Sequence, residues 1–125
     1  MKNLNSSCET IDINSLYLLL SSCRFQLADE KRLQGEIEGL LLAKCIPFER
    51  EYHLSKAACI DFMVDGIGVE VKTKGSARNI FRQCEKYCAF QAVTQFILLT
   101  NRSMGLPESI MGKPAYLINL GRAWL

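Results

Sequence analysis

The chain has 125 residues, 49% hydrophobic and 22% charged, with a formal net charge of +2. Such a chain is long enough for one domain with a sizeable core. A net charge this small says little about partners, and a nucleic-acid site has to be a local patch. The longest apolar run, residues 16–20, is far too short to span a bilayer. No basic segment followed by an apolar stretch and a small-residue cleavage site opens the chain. A cytoplasmic protein with no membrane partner is expected.

Residues 1–14 are polar and lack a period, which suits a lead-in. "SLYLLLSSCRF" is expected as a short helix. From Ala28, "ADEKRLQGEIEGLLLAKC" has a helical period. Leu33, Ile37, Leu40, Leu41 and Lys44 fall on one stripe, Asp29 or a neighbour caps the start, and Pro47 ends the run. "PFEREYHLS" alternates as a first strand, with Phe48, Arg50 and Tyr52 on one side and Glu49, Glu51 and His53 on the other. "ACIDFMVDGIGVEVKTKG" supplies strands two and three. "GSARNIFRQCEKYCAFQA" is a helix capped by Ser76, with Ile80, Phe81, Cys84 and Cys88 inward and Arg78, Arg82 and Lys86 outward. "VTQFILLT" is a buried strand, and "KPAYLINL" a last strand at the sheet edge. The order is that of a mixed α/β sheet with packed helices. Residues 1–27 are a tail and short helix, and 28–125 the folded domain.

The six cysteines, at positions 8, 23, 45, 59, 84 and 88, lack the paired spacings of a small disulfide scaffold. Buried thiols are expected. No Cys-x-x-Cys occurs and His53 is the single histidine, which argues against zinc.

Asp65-Gly66 between apolar runs is a two-residue hairpin signal. Counting outward pairs Val64 with Ile67, Met63 with Gly68, Phe62 with Val69, Asp61 with Glu70, and Cys59 with Lys72. Asp61, Glu70 and Lys72 then share one face, while Ile60, Phe62, Val64, Val69 and Val71 share the other. The first helix and helix 76–91 are expected to cover part of the acidic face. Directly opposed carboxylates sit about 5 Å apart and destabilise a sheet. At an effective dielectric near 20 they repel by roughly 3 kcal/mol. Lys72 offsets part of this, and a divalent cation between the acids would turn repulsion into coordination.

Asp61 followed by Glu70-Val71-Lys72 resembles the Asp…Glu-x-Lys signature of the PD-(D/E)XK nuclease superfamily. Gln83-Cys84-Glu85-Lys86-Tyr87 resembles the Gln-x-x-x-Tyr motif of its RecB-like branch, and "KCIPFEREYHL" is similar to the helix-to-strand passage of small phage and bacterial members. The likeness covers roughly residues 28–101. Ile60 stands where many members have proline. The resemblance implies a restriction-endonuclease-like core: helix, three-stranded meander, helix, strand. It implies Mg²⁺ or Mn²⁺ held by Asp61, Glu70 and the Val71 carbonyl, with Lys72 orienting water or stabilising the transition state.

Many such proteins add an acid from the first helix. Glu30, with Gln34 beside it, lies nearest the apolar stripe, while Glu36 and Glu38 are its rivals. Gln83 would bond Lys72, a metal-bound water or a phosphate, and Tyr87 would brace the helix or touch DNA. Lys56, Lys74, Arg78, Arg82 and Lys86 flank these elements as phosphate contacts.

The implied function is metal-dependent hydrolysis of DNA in a phage, mobile-element or bacterial DNA-processing system. A Holliday-junction resolvase would require a homodimer, for which residues 104–124 are apolar enough. A non-catalytic nucleic-acid-binding module, or a catalytic subunit whose partner protein supplies specificity, are further readings. An iron–sulfur nuclease would need cysteines beyond Cys88, and there are none.

Overall fold

The computed structural model describes residues 10–25 and 29–121. Helix α1 spans Ile13–Ser22, α2 Glu30–Ala43 and α3 Ala77–Cys88. The strands are β1 (Glu49–Ser55), β2 (Ala58–Val64), β3 (Ile67–Lys72), β4 (Gln95–Thr100), β5 (Ser109–Ile110) and β6 (Lys113–Asn119). The expected lead-in over residues 1–9 and the chain end at 122–125 lie outside the described residues.

Local chemistry starts each helix. The Asp12, Asp29 and Ser76 side chains accept the N–H groups of Ser15, Arg32 and Asn79. α2 ends at Lys44, and Cys45 turns the chain with φ 56° two residues before Pro47. Asp65 (φ 50°) and Gly66 (φ 84°) both lie in the left-handed region. That is the requirement of the type I′ turn, whose twist matches the flanking strands.

The sheet order is β1-β2-β3-β4-β6-β5. β1, β2 and β3 form an antiparallel meander, α3 crosses over, and β4 runs parallel to both β3 and β6. α1 and α2 pack on one face, with Leu16, Leu33, Ile37 and Leu41 against Phe62, Val69, Val71 and Leu99. α3 packs on the other, with Ile80, Cys84 and Cys88 against Phe96 and Leu98. β4 is buried on both sides, which explains its unbroken apolar run. No described helix is long and apolar enough to cross a membrane.

Several expectations are corrected. β6 is not the edge strand: β5 pairs with Lys113 and Pro114 outside it. Lys44 is exposed rather than part of the α2 stripe. Cys45 and Cys59 are exposed, whereas Cys84 and Cys88 are buried thiols, pushed up to about 12 and about 11, chiefly by burial. The apolar stripe of α2 packs on the face opposite the one expected, and α3 packs over the acidic side.

The strand alternation also breaks. Phe48 packs with the α2 core, but Tyr52 packs with the α3 core. In β2, Phe62 and Val64 face α2, whereas Ile60 is buried with the α3 cluster. The pairs Arg50↔Phe62 and Tyr52↔Ile60 bracket the switch, which puts Glu51 opposite Asp61. Glu51 has φ 52°, a conformation costly for a non-glycine residue. The hairpin turns there, so the strand beyond Asp61 presents its side chains to the other core.

Candidate active site

Backbone pairing between β2 and β3 runs through Val64↔Ile67, Met63↔Gly68 and Phe62↔Val69. These three match the counted register. Beyond them the bonds change character. Glu70 Oε1 accepts the Asp61 N–H at 3.0 Å, and Asp61 Oδ2 accepts the Val71 N–H at 2.8 Å. The expected Asp61–Glu70 and Cys59–Lys72 backbone pairs are absent from the described ladder. The bend at Asp61 separates the strands enough for side chains to enter.

Gly68 makes room beside this bend. A Cβ there would lie 2.7 Å from Ile60 Cδ1 and 3.4 Å from both Phe96 and Val93 side chains. The absence of a side chain lets Ile60 cross over the strand toward α3.

Glu70 is buried, 3% exposed. Its carboxyl is pushed up to about 8, first by burial and then by the charge of Asp61. Asp61 is also raised, with burial the largest cause and the Val71 N–H pulling the other way. Lys72 Nζ lies 3.7 Å from Glu70 Oε2, a partial counter-charge.

Tyr87 holds Glu70 from α3. Its hydroxyl lies 3.1 Å from Glu70 Oε2 and 3.0 Å from the Cys59 carbonyl oxygen, and it accepts from Gln83 Nε2 at 3.0 Å. One proton serves the first two contacts by turns. The hydroxyl is raised well above its ordinary range, chiefly by burial and then by Glu70. The Gln-x-x-x-Tyr residues therefore form one unit behind Glu70. Gln83 reaches Tyr87, a contact not expected for it.

From the opposite side, α2 delivers Glu30, whose Oε2 accepts the Thr73 N–H at 2.7 Å and faces Thr73 Oγ1 at 3.4 Å. This ties the first turn of α2 to the end of β3. The rival glutamates are engaged elsewhere: Glu36 pairs with Arg32 at 3.6 Å and Glu38 with Arg50. Gln34 accepts from Arg50 Nη2 at 3.2 Å and lies close enough to Asp61 to lower its carboxyl slightly. Arg50 sits over the Phe62 ring, 5.5 Å from its centre. Arg50 and Thr73 were not among the expected site residues. An arginine on the inward side of a strand needs acceptors, and that was the available signal for Arg50.

The basic residues lie around this centre. Arg78, Arg82 and Lys86 are exposed at four-residue spacing on α3, so they line one stripe. Lys86 Nζ reaches the Ala57 carbonyl at 3.4 Å, next to exposed Lys56 in the β1–β2 turn. Lys74 lines a cleft of about 500 Å³ with Asp29, Glu30, Lys31, Lys72 and Thr73.

Among the described residues no group of three or more His, Cys, Asp and Glu side chains is arranged to hold a metal ion. Asp61 and Glu70 are a pair, and Mg²⁺ needs only one or two carboxylates, with phosphate oxygens and water completing its shell. Two neighbouring acids whose carboxyls are both raised, chiefly by burial, with one lysine as counter-charge, fit a cation of that kind. The chain matches no family model, no curated protein and no solved structure.

Proposed function

We propose that the protein is a metal-dependent nuclease that hydrolyses DNA phosphodiester bonds. The observation that carries the reading is the convergence of Asp61, Glu70 and Lys72 at the point where the β2–β3 ladder gives way to side chains. The order α2-β1-β2-β3-α3-β4, an antiparallel meander followed by a parallel crossover, supports a restriction-endonuclease-like core. It also supports the likeness to PD-(D/E)XK nucleases seen in the motifs.

Asp61, Glu70 and the Val71 carbonyl would hold Mg²⁺ or Mn²⁺, which when bound supplies a Lewis acid that acidifies water and neutralises phosphate charge. Lys72 directs its ammonium group at the attacking water or at the charge growing on phosphorus. The water oxygen bonds to phosphorus, the bond to the 3′ oxygen breaks, and that oxygen leaves with a proton. The products are a 3′-hydroxyl and a 5′-phosphate. The Val71 N–H fixes the Asp61 carboxylate, while Tyr87 and the Asp61 N–H fix Glu70. Glu30 holds the backbone just past Lys72. Arg78, Arg82, Lys86, Lys56 and Lys74 bind phosphates without reading bases.

Purified protein incubated with supercoiled, linear, single-stranded and four-way-junction DNA in Mg²⁺, Mn²⁺ or EDTA tests this. Metal-dependent cutting that disappears in Asp61→Ala is expected. Preference for the junction would mark a resolvase. DNA binding without cutting on every substrate would replace the enzyme with a binding module.

A further inference from the structure

The cleft between the start of α2 and the end of β3 adjoins the catalytic centre, and the nuclease chemistry above gives Lys31 no role. It measures about 500 Å³ and is lined by Asp29, Glu30, Lys31, Lys72, Thr73 and Lys74. Each acid accepts a backbone N–H group. Asp29 Oδ1 accepts the Arg32 N–H at 2.8 Å, and Glu30 Oε2 accepts the Thr73 N–H at 2.7 Å. Lys72 faces Glu70. Lys31 and Lys74 are exposed and make no hydrogen bond or ion pair among the described residues. The cleft thus has two unpaired cations, and its acids are bound to backbone N–H groups.

We propose that this cleft is a phosphate subsite for the nucleic-acid strand, with Lys31 and Lys74 clasping a backbone phosphate next to the scissile one. The inference rests on the nuclease reading. The cleft shares Glu30 and Lys72 with the catalytic centre, so a strand whose scissile phosphate meets Lys72 continues into it. A concave site of this size accepts one strand's sugar–phosphate backbone. Lysines bind phosphate as point charges, so the subsite positions the strand without sequence preference. The Arg78–Arg82–Lys86 stripe lies on α3, on the other face of the sheet. The strand then crosses the end of β3 from one basic surface to the other.

The test is binding of a fluorescein-labelled single-stranded oligonucleotide, followed by anisotropy in EDTA, where no cutting interferes and lysine contacts persist. Lys31→Ala, Lys74→Ala and the double variant are compared with wild type and with Lys44→Ala, at the far end of α2. Each cleft variant should bind several-fold more weakly. The slope of log Kd against log salt should fall by about 0.7 per lysine removed. Lys44→Ala should match wild type. In Mg²⁺ the cleft variants should raise KM with kcat changed by less than about twofold, the mark of lost uniform binding. Thermal melts confirm that the variants fold. A double variant with wild-type affinity and salt slope would overturn the subsite, and loss of cleavage in Asp61→Ala would then leave the nuclease reading standing. A wild-type protein that neither binds nor cuts would remove both.

Discussion

Glu70 Oε1 accepts the backbone N–H of Asp61 at 3.0 Å, so one acid's side chain takes a place that a strand carbonyl fills in a regular ladder. Asp61 does the same for Val71 at 2.8 Å. Each acid is thereby fixed by the strand that carries the other, and neither can be removed without opening the hairpin end. The same arrangement brings two carboxyl groups into a buried space where, among the described residues, Lys72 is the cation paired with Glu70. Geometry is secured at the cost of charge repulsion, as expected of a site built for a ligand of opposite charge.

Glu70→Gln keeps the shape and an acceptor for the Asp61 N–H while removing the buried charge. In EDTA at pH 8 this variant should be more stable than wild type by about 1–4 kcal/mol, since the fold raises the Glu70 carboxyl from 4.5 to about 8 and each pH unit of that rise is worth about 1.4 kcal/mol. Cleavage should be abolished in the same protein. Urea melts and the DNA assay read the two effects, and a variant less stable than wild type would mean that the Glu70 carboxylate helps to hold the fold.

The raised Glu70 carboxyl predicts an unusual pH dependence. Its ordinary value is 4.5 and the fold pushes it up to about 8. Between these values the unfolded chain has released a proton that the folded chain keeps. The metal-free protein should therefore lose stability as pH rises from about 4.5 to 8 and level off above that window. Cleavage should move the other way, because cation binding requires the ionised acid. Raising Mg²⁺ should shift the rate midpoint to lower pH. A midpoint indifferent to Mg²⁺ concentration would dissociate Glu70 from metal binding.

Tyr87→Phe tests the unit behind Glu70. It leaves Glu70 Oε2 or the Cys59 carbonyl, and the Gln83 amide, without a partner. A loss of about 1–3 kcal/mol is expected for such buried groups. The Tyr87 bond also lowers the Glu70 carboxyl, so the rate midpoint should move to higher pH. If stability fell but the midpoint stayed, Tyr87 would only brace the helix.

Much of this arrangement was legible in the sequence. Asp65-Gly66 set the register through Phe62↔Val69, because a type I′ turn leaves no freedom in counting outward. The helical wheel of α2 favoured Glu30 over Glu36 and Glu38; Glu30 reaches the end of β3 at Thr73, while Glu38, off the stripe, reaches the sheet at Arg50. Strict alternation failed at Glu51 and Asp61. It assumes a continuous pleat, and here the hairpin turns at a left-handed residue that glutamate composition does not announce. β5 was not foreseen, as two residues carry no period. The partners of Arg50 carry no such signal, because its bonds to Gln34 and Glu38 join elements distant in sequence.

Lys72 offers the sharpest separation of chemistry from structure. It is partly exposed, and its one ion pair in the described residues is the 3.7 Å contact with Glu70. Removing it should cost little stability, because a pair at that distance in a partly solvated place is weak. It should also leave DNA binding largely intact, since Arg78, Arg82, Lys86 and Lys74 remain. Its ammonium group is, however, the only cation of the side chains gathered at the two acids. Lys72→Ala should lower kcat by about 10²–10⁴-fold, the range for losing one directed charge or proton-transfer group. Lys72→Arg should not restore the rate, because the planar guanidinium cannot reproduce a compact point charge. Single-turnover cleavage, anisotropy and thermal melts on the same preparations resolve the three quantities. A folded Lys72→Ala protein cutting at the normal rate would show that the lysine only balances the charge of Glu70.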